Sequence, residues 1–518
     1  MEEKRRILWA DDEIDMLKAH ILFLKERGYD VIAVTNGFDA IEYIKKEPID
    51  IVLLDEMMVG KDGLTVLSEI KSFNPAIPVV MITKNEEETL MDDAIGAKIN
   101  DYLIKPVNPS QILSACKKLL DLRQITEDRL TRDYVVDFRE IGAKLSSSME
   151  PSGWIDIYKK LTDWEVALDK HPDIGFEQNL SDQKKEYDIE FGKYIEKQYL
   201  DWVNSEKHPP LSVDVTRNWL IPELGKGRPV FFIVMDCMRL DQWLSVETYL
   251  YEYFNINREF YFSILPTATP YARNSIFGGL FPMDIEKEYP ELWNKGTDDD
   301  SSQNRYEHQF LDRLILKEIG PLKNESRYIK ILNSDEAWFT LKKLDTYLRY
   351  DLVSIVVNFV DILVHRRNES EVLKEIAPNA AAYRSLTCSW FEHSAIFAIL
   401  KQLSRTDAVV IITTDHGSKQ GRRAVKLIGD RDTSANLRYK VGRNLKCDSR
   451  YAMEVKEPEL YKLPRRGINF QYLIAKEDFY LIYPTNFNQF ANLYKDSFQH
   501  GGISSEEMIL PVVRLEGK

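Results

Sequence analysis

Along the first 120 residues, short apolar runs alternate with amphipathic stretches. The runs are RRILW (5–9), VIAV (31–34), DIVLL (50–54), IPVVMIT (77–83) and DYLI (101–104), with helical spacing between them and after the last. Five βα units in that order predict a parallel sheet covered by helices on both faces. From 121 to 206 the pattern changes. Charged and aromatic residues interleave at helical spacing and SSSMEPSG (146–153) interrupts them, which predicts one helix continuing from the first region and then a small helical bundle. Trp154, Trp164 and Trp202 fall on that spacing and read as core. KHPPLS (207–212) marks the next boundary. Beyond it come three long apolar runs, PVFFIVMDCMRLD, DLVSIVVNFVDILVH and AVVIITTDHG, without alternation, as in parallel strands buried on both faces. The pattern predicts an α/β protein in three parts: a doubly wound domain (1–120), a helical linker (121–206) and a second α/β domain (207–518).

Polar residues collect where the strands end, the edge at which such sheets bind ligands. In the first domain these are Asp11 and Asp12 after strand one, Asp55 after strand three, Thr83 ending strand four, and Lys105 after strand five. Three carboxylates brought to one spot repel each other unless a cation sits among them, and Mg²⁺ prefers such oxygen donors. The chemistry this suggests is phosphoryl transfer to Asp55, with Lys105 and Thr83 contacting the phosphate oxygens.

The C-terminal domain repeats the design with histidine added. Its apolar runs deliver Asp236, then Asp361 with His365 four residues on, then Asp415 with His416; His500 follows in QHGGISSEEMILP. Asp361 and His365 suit one face of a helical turn. Mixed Asp and His donors without cysteine favour Zn²⁺ over Mn²⁺, and three of each can hold two ions. In ILPTATPYARNSIFGG, Thr269 precedes Pro270 and a helical run ends at Gly278–Gly279, so Thr269 is expected as the N-cap. A hydroxyl at a helix N-terminus lies where phosphate binds well, and a metal there would make it a nucleophile. Arg273 and Asn274, one turn on, are candidates to contact the phosphoryl group.

Composition narrows the function. A formal charge of −14 over 518 residues argues against a general nucleic-acid binder. Four scattered cysteines without a CxxC pair point to a reducing cytoplasm. No apolar run approaches the roughly 20 residues that span a bilayer, so no membrane insertion is expected. Between Lys419 and Arg450, ten Lys/Arg face only Asp430, Asp432 and Asp448. That run is either a solvated loop or an anion-attracting rim that guides a nucleotide or oligonucleotide to the metals.

WADDE, LLDEMMVGKDG, MITK and YLIKP, across residues 1–120, resemble the CheY-like receiver domains of two-component response regulators. The resemblance implies that Asp11, Asp12 and Asp55 hold Mg²⁺, that Asp55 accepts the phosphoryl group from a sensor histidine kinase, and that Tyr102 is an aromatic switch. Val59 and Lys84 depart from the family pattern. From about residue 210 the motifs resemble the PglZ branch of the alkaline phosphatase superfamily. Matched motif by motif, that branch implies one zinc on Asp361, His365 and His500, and another on Asp236, Asp415 and His416. Thr269 would be both nucleophile and ligand of the latter. A receiver joined through helices to such a domain is similar to PorX-type regulators of type IX secretion. This similarity implies an extracytoplasmic-function sigma factor as a further partner. Superfamily relatives include monoesterases, diesterases, sulfatases and mutases, and the basic run favours a phosphodiesterase output. Phosphorylation of Asp55 is expected to act through the receiver and helical linker to give a homodimer. The alternative is a signalling scaffold that keeps a structural zinc and works by binding.

Overall fold

The computed structural model describes residues 4–84, 99–293, 304–430, 436–465 and 467–518. The chain divides into two compact units, Met1–Val135 and Val136–Lys518.

The first unit is built on β1 (Arg6–Ala10), β2 (Asp30–Val34), β3 (Ile51–Asp55), β4 (Val79–Thr83) and β5 (Asp101–Ile104), all parallel, in the order β2-β1-β3-β4-β5. The expected five strands are present. Successive residues of a strand point to opposite faces, and the sheet uses both. Leu8, Ala10, Val52 and Leu54 pack on one side, and Ile7, Trp9, Ile51 and Leu53 on the other. Helix Pro109–Cys116, opened by an Asn108 capping box, runs through a π-helical turn at Lys117–Asp121 into Leu122–Leu145. The continuous helix expected from the first region is therefore formed.

In the second unit, helices Pro151–Asp169 and Glu177–Asn204 bury Trp154, Trp164 and Trp202 as core residues. Trp202 packs on Phe262 with ring centroids 5.1 Å apart, joining the linker helices to the C-terminal sheet. That sheet contains β6 (Val230–Met235), β7 (Phe254–Phe262), β8 (Ser326–Ile331), β9 (Leu352–Val357) and β10 (Val409–Thr413). Smaller sheets use β11 (Lys419–Gly421), β12 (Arg423–Lys426), β13 (Tyr439–Arg443), β14 (Ala452–Val455), β15 (Phe470–Ala475), β16 (Phe479–Ile482) and β17 (Ser497–Gln499). The last strand, β18 (Ile509–Gly517), returns to the main sheet, whose order is β7-β18-β10-β6-β9-β8.

The three long apolar runs are the adjacent parallel strands β10, β6 and β9. Each is buried along its whole length. Phe231, Ile233 and Met235 face one core, while Val230, Phe232 and Val234 face the other. Parallel direction brings their carboxyl ends, and the residues that follow, to one edge. β18 and β7 run antiparallel to this set.

Candidate metal centres and phosphoryl site

Three groups of donors converge: Asp11, Asp12 and Asp55; Asp236, Asp415 and His416; and Asp361, His365 and His500. Within each, one donor atom per residue lies within 4.8 Å of the others. These are the groupings the sequence motifs implied.

In the receiver, Lys105 Nζ stands 2.8 Å from Asp11 Oδ2 and 3.0 Å from Asp55 Oδ2. Burial pushes the Asp55 carboxyl upward, and the negative charge of Asp11 adds to this, against the hydrogen bond from Lys105. A divalent cation relieves that repulsion. Thr83 is buried at the end of β4 and its hydroxyl donates to Glu56. Tyr102 is half-buried in β5 and Asp12 is exposed. Of the two departures from the receiver pattern, Lys84 donates to Glu13 at 2.9 Å and Val59 is exposed.

In the C-terminal domain, Asp236 directly follows β6, and Asp415 and His416 lie just beyond β10. Each acid turns one oxygen outward, where it is tied, and one inward. Asp236 Oδ2 accepts from Arg273 Nη1 at 2.5 Å and from Asn358 Nδ2 at 2.8 Å. Its Oδ1 faces Thr269 Oγ1 at 3.5 Å and His416 Nε2 at 3.8 Å. Asp415 Oδ1 accepts from the Cys237 amide at 3.3 Å and the His416 amide at 3.1 Å. Its Oδ2, 3.8 Å from His416 Nε2, is buried without a hydrogen-bond partner. Burial, reinforced by Asp236, pushes the Asp415 carboxyl up to about 7. Its orphaned oxygen and raised pKa are what a cation among these donors would satisfy. Two carboxylate oxygens, one imidazole nitrogen and the Thr269 hydroxyl make a donor set that fits tetrahedral zinc.

Thr269 departs from its expected place. It is the first residue of helix Thr269–Gly278, Ala268 holds the cap position, and no side-chain cap bond forms. The hydroxyl is instead 2.9 Å from His416 Nε2. A true cap would have aimed it at the helix amides and away from the donors.

The second triad lies alongside. Helix Phe359–Glu369 follows β9 and places Asp361 and His365 one turn apart, with His365 Nε2 3.3 Å from Asp361 Oδ1. His500 Nε2 stands 4.0 Å from the same oxygen. Asp361 Oδ1 and His500 Nδ1 are buried without hydrogen-bond partners, while His365 is exposed. The His416 and His500 rings stack at 4.3 Å, so the two centres share a wall. One is sealed in the protein and the other opens to solvent.

Arg273 and Asn274 are brought to the site in supporting positions. Arg273 ties the outer oxygen of Asp236 and donates through Nε to Glu307 at 2.7 Å. Asn274 donates to the Pro270 carbonyl at 2.9 Å and accepts from Asn304 at 3.3 Å. Glu307, Asn304 and Asn358 were missed in the sequence. Glu307 opens helix Glu307–Ile319, where an acid reads as an ordinary partner for the helix dipole.

The basic run is not the solvated loop considered above. Its residues enter β11, β12 and β13, and much of its charge is internal. Arg438 is fully buried against Glu507, at 2.5 Å, and Lys419 bonds Asp188 at 2.5 Å and Glu506 at 2.6 Å. Lys440 is buried, Arg423 pairs with Asp478 and Glu477, and Arg450 pairs with Asp448. Arg422, Lys426, Arg443, Lys446 and Arg450 are exposed, the Arg450–Asp448 pair being a surface one. Arg431 and Asp432 lie outside the described residues. The rim is reduced because a folded subdomain consumes its cations in pairing. No described helix is long and apolar enough to cross a membrane.

Residues 215–515 match the BREX system PglZ alkaline phosphatase-like domain. Residues 7–117 match the response regulator receiver domain, and 124–203 match the PorX response regulator linker domain. The chain belongs to the PglZ alkaline phosphatase-like family. Its succession of receiver, linker and PglZ domain is that of a PorX-type response regulator. Over 140 residues the chain is 31% identical to the transcriptional regulatory protein ZraR of Klebsiella oxytoca, covering 27% of this chain and 32% of that one. Over 121 residues it is 35% identical to the transcriptional regulatory protein BaeR of Escherichia coli, covering 23% and 49%. The chain thus spans about a third of the first of these curated relatives and about half of the second. Among solved structures, a CheY-like receiver domain protein from Methanospirillum hungatei is 25% identical, covering 23% of this chain and 95% of its own, with a TM-score of 0.23. A two-component response regulator from Clostridium difficile is 27% identical over 23% and 97%, with a TM-score of 0.22.

Proposed function

We propose that this protein is a response regulator phosphorylated on Asp55 by a sensor histidine kinase, with a zinc-dependent phosphodiesterase as its output. The observation that carries the output is the convergence of Thr269 Oγ1 on His416 Nε2, at 2.9 Å, inside a donor set with Asp236 and Asp415. Zinc, when bound by the two triads, would supply positive charge at the Thr269 hydroxyl and at the phosphoryl oxygens. Thr269 Oγ1 loses its proton to solvent and attacks phosphorus, the P–O bond to one alcohol breaks as that alcohol takes up a proton, and a phosphoryl-threonine ester forms. Water then gives up a proton and attacks the same phosphorus, the P–Oγ1 bond breaks, and Thr269 regains its proton as the phosphate monoester leaves. Helix Thr269–Gly278 fixes the nucleophile, and the Asp361–His365–His500 side gives the substrate its entry. In the receiver, Mg²⁺ held by Asp11, Asp12 and Asp55 would offset charge on the transferred group, while Lys105 and Thr83 orient its oxygens and Tyr102 responds to them.

Nucleotide or oligonucleotide diesters are the favoured substrates, because exposed Arg422, Lys426, Arg443 and Lys446 suit an extended anion. Regulation of type IX secretion, with a sigma factor as partner, is the cellular role proposed with this output, on the likeness to PorX-type regulators alone. Thr269→Ala should retain zinc and lose hydrolysis of a diester. Unchanged turnover in that variant removes Thr269 from the mechanism, and zinc without turnover in the native chain favours a scaffold.

A further inference from the structure

Arg273 poses a problem for the sealed metal site. A guanidinium carries a permanent charge, and this one lies buried between two of the proposed zinc ligands. Its Nη1 is 2.5 Å from Asp236 Oδ2 and 3.8 Å from Asp415 Oδ2. Asp415 Oδ2 is the inward oxygen without a hydrogen-bond partner. A small movement of Arg273 would fill the place of a metal with an organic cation.

What opposes that movement is Glu307. Its carboxylate is fully buried, and Oε2 accepts from Arg273 Nε at 2.7 Å and from Asn304 Nδ2 at 3.2 Å. Oε1 accepts from the Tyr328 hydroxyl. Asn304 also donates to the Thr269 carbonyl at 3.2 Å, linking this bracket to the residue that carries the nucleophile. Glu307 touches none of the donor atoms, yet it supplies the second anion that Arg273 requires in a buried position. With Asp236 and Glu307 both engaged, Arg273 approaches Asp415 Oδ2 no closer than an ion-pair distance of 3.8 Å and makes no hydrogen bond to it.

We propose that Glu307 is a positioning residue for the Asp236–Asp415–His416 metal site, holding the Arg273 guanidinium outside the donor cluster. The inference rests on the metal reading of that site. Partners of metal ligands commonly alter affinity by roughly 10–100-fold when lost. Glu307→Gln keeps the side chain's size and removes the charge, which leaves Asp415 as the nearest additional anion for Arg273.

The test is equilibrium zinc competition with a chelator on the full chain, with Asp361→Ala as background and excess Mg²⁺ to occupy the receiver carboxylates, so that the sealed site is read. Glu307→Gln is expected to weaken zinc there by roughly 10-fold or more. The double substitution Arg273→Met with Glu307→Gln is expected to recover most of that loss, since the competing cation is gone. Recovery would also show that the site is not merely misfolded by the change at Glu307. Equal affinity with and without Glu307→Gln overturns the role of Glu307 while leaving the metal site standing, as does a double variant as weak as the single one. A chain with native Glu307 that takes up no zinc at the sealed site overturns the metal reading itself.

Discussion

Gly417 follows Asp415 and His416, and a Cβ there would meet the Glu506 carbonyl oxygen at 1.8 Å. The missing side chain lets the Glu506–Glu507 backbone pass close behind Asp415 and His416, and the Gly417 amide reaches the Glu507 carbonyl at 3.3 Å. Gly417→Ala should therefore cost about 2 kcal/mol or more, as overpacking against backbone does, and should release zinc; urea unfolding and metal content measure both. Native stability in that variant would show that the loop has room the geometry denies. Gly501, beside His500, has φ +114° and lies 2.3 Å, at its would-be Cβ, from the Tyr439 ring. At this scale the donors were legible, because Asp and His at the ends of apolar runs carry their chemistry in the sequence. Their supports were not. Asn304, Glu307 and Asn358 come from other elements, and nothing local distinguishes them from caps and surface groups.

Between elements, the linker helices meet the C-terminal domain through buried charge. Arg384 binds Glu165 at 2.8 Å, Asp241 at 2.7 Å, and Asp169. Lys184 joins Glu165 to Glu506, the latter at 3.3 Å. Lys419, three residues beyond His416, joins Glu506 to Asp188 of helix Glu177–Asn204. The strand end that carries Asp415 and His416, two of the candidate metal donors, is thus tied to the linker helices by ion pairs. Lys419→Met leaves Asp188 and Glu506 short of a cation and should cost about 3 kcal/mol or more, read by chemical unfolding. A loss well under 1 kcal/mol would mean that water or a rearranged Lys184 replaces the lysine. The main strands were legible because runs buried on both faces have no alternation. The small sheets were not, since β11 to β13 contain three to five residues each and lie within a charged run that reads as loop. The helical cap at Thr269 was misplaced by one residue for a related reason: capping signals are local, while its hydroxyl answers to His416.

For the whole molecule, phosphorylation at Asp55 is expected to produce a homodimer. Size-exclusion chromatography with light scattering, with and without a phosphoryl mimic and Mg²⁺, should show a doubling of mass, and an unchanged mass would remove dimerisation from the account. The proposed output belongs to the other unit, where three Asp, three His and one Thr gather beyond the strand ends of one sheet; phosphodiester cleavage there is the proposal to be tested. The most direct measurement is elemental analysis of the purified full chain combined with an assay of oligonucleotide hydrolysis on the same sample. Two zinc ions per chain are expected, with turnover that disappears when a chelator removes them. Turnover that persists in the stripped protein, or a metal-free native chain, would contradict the proposal.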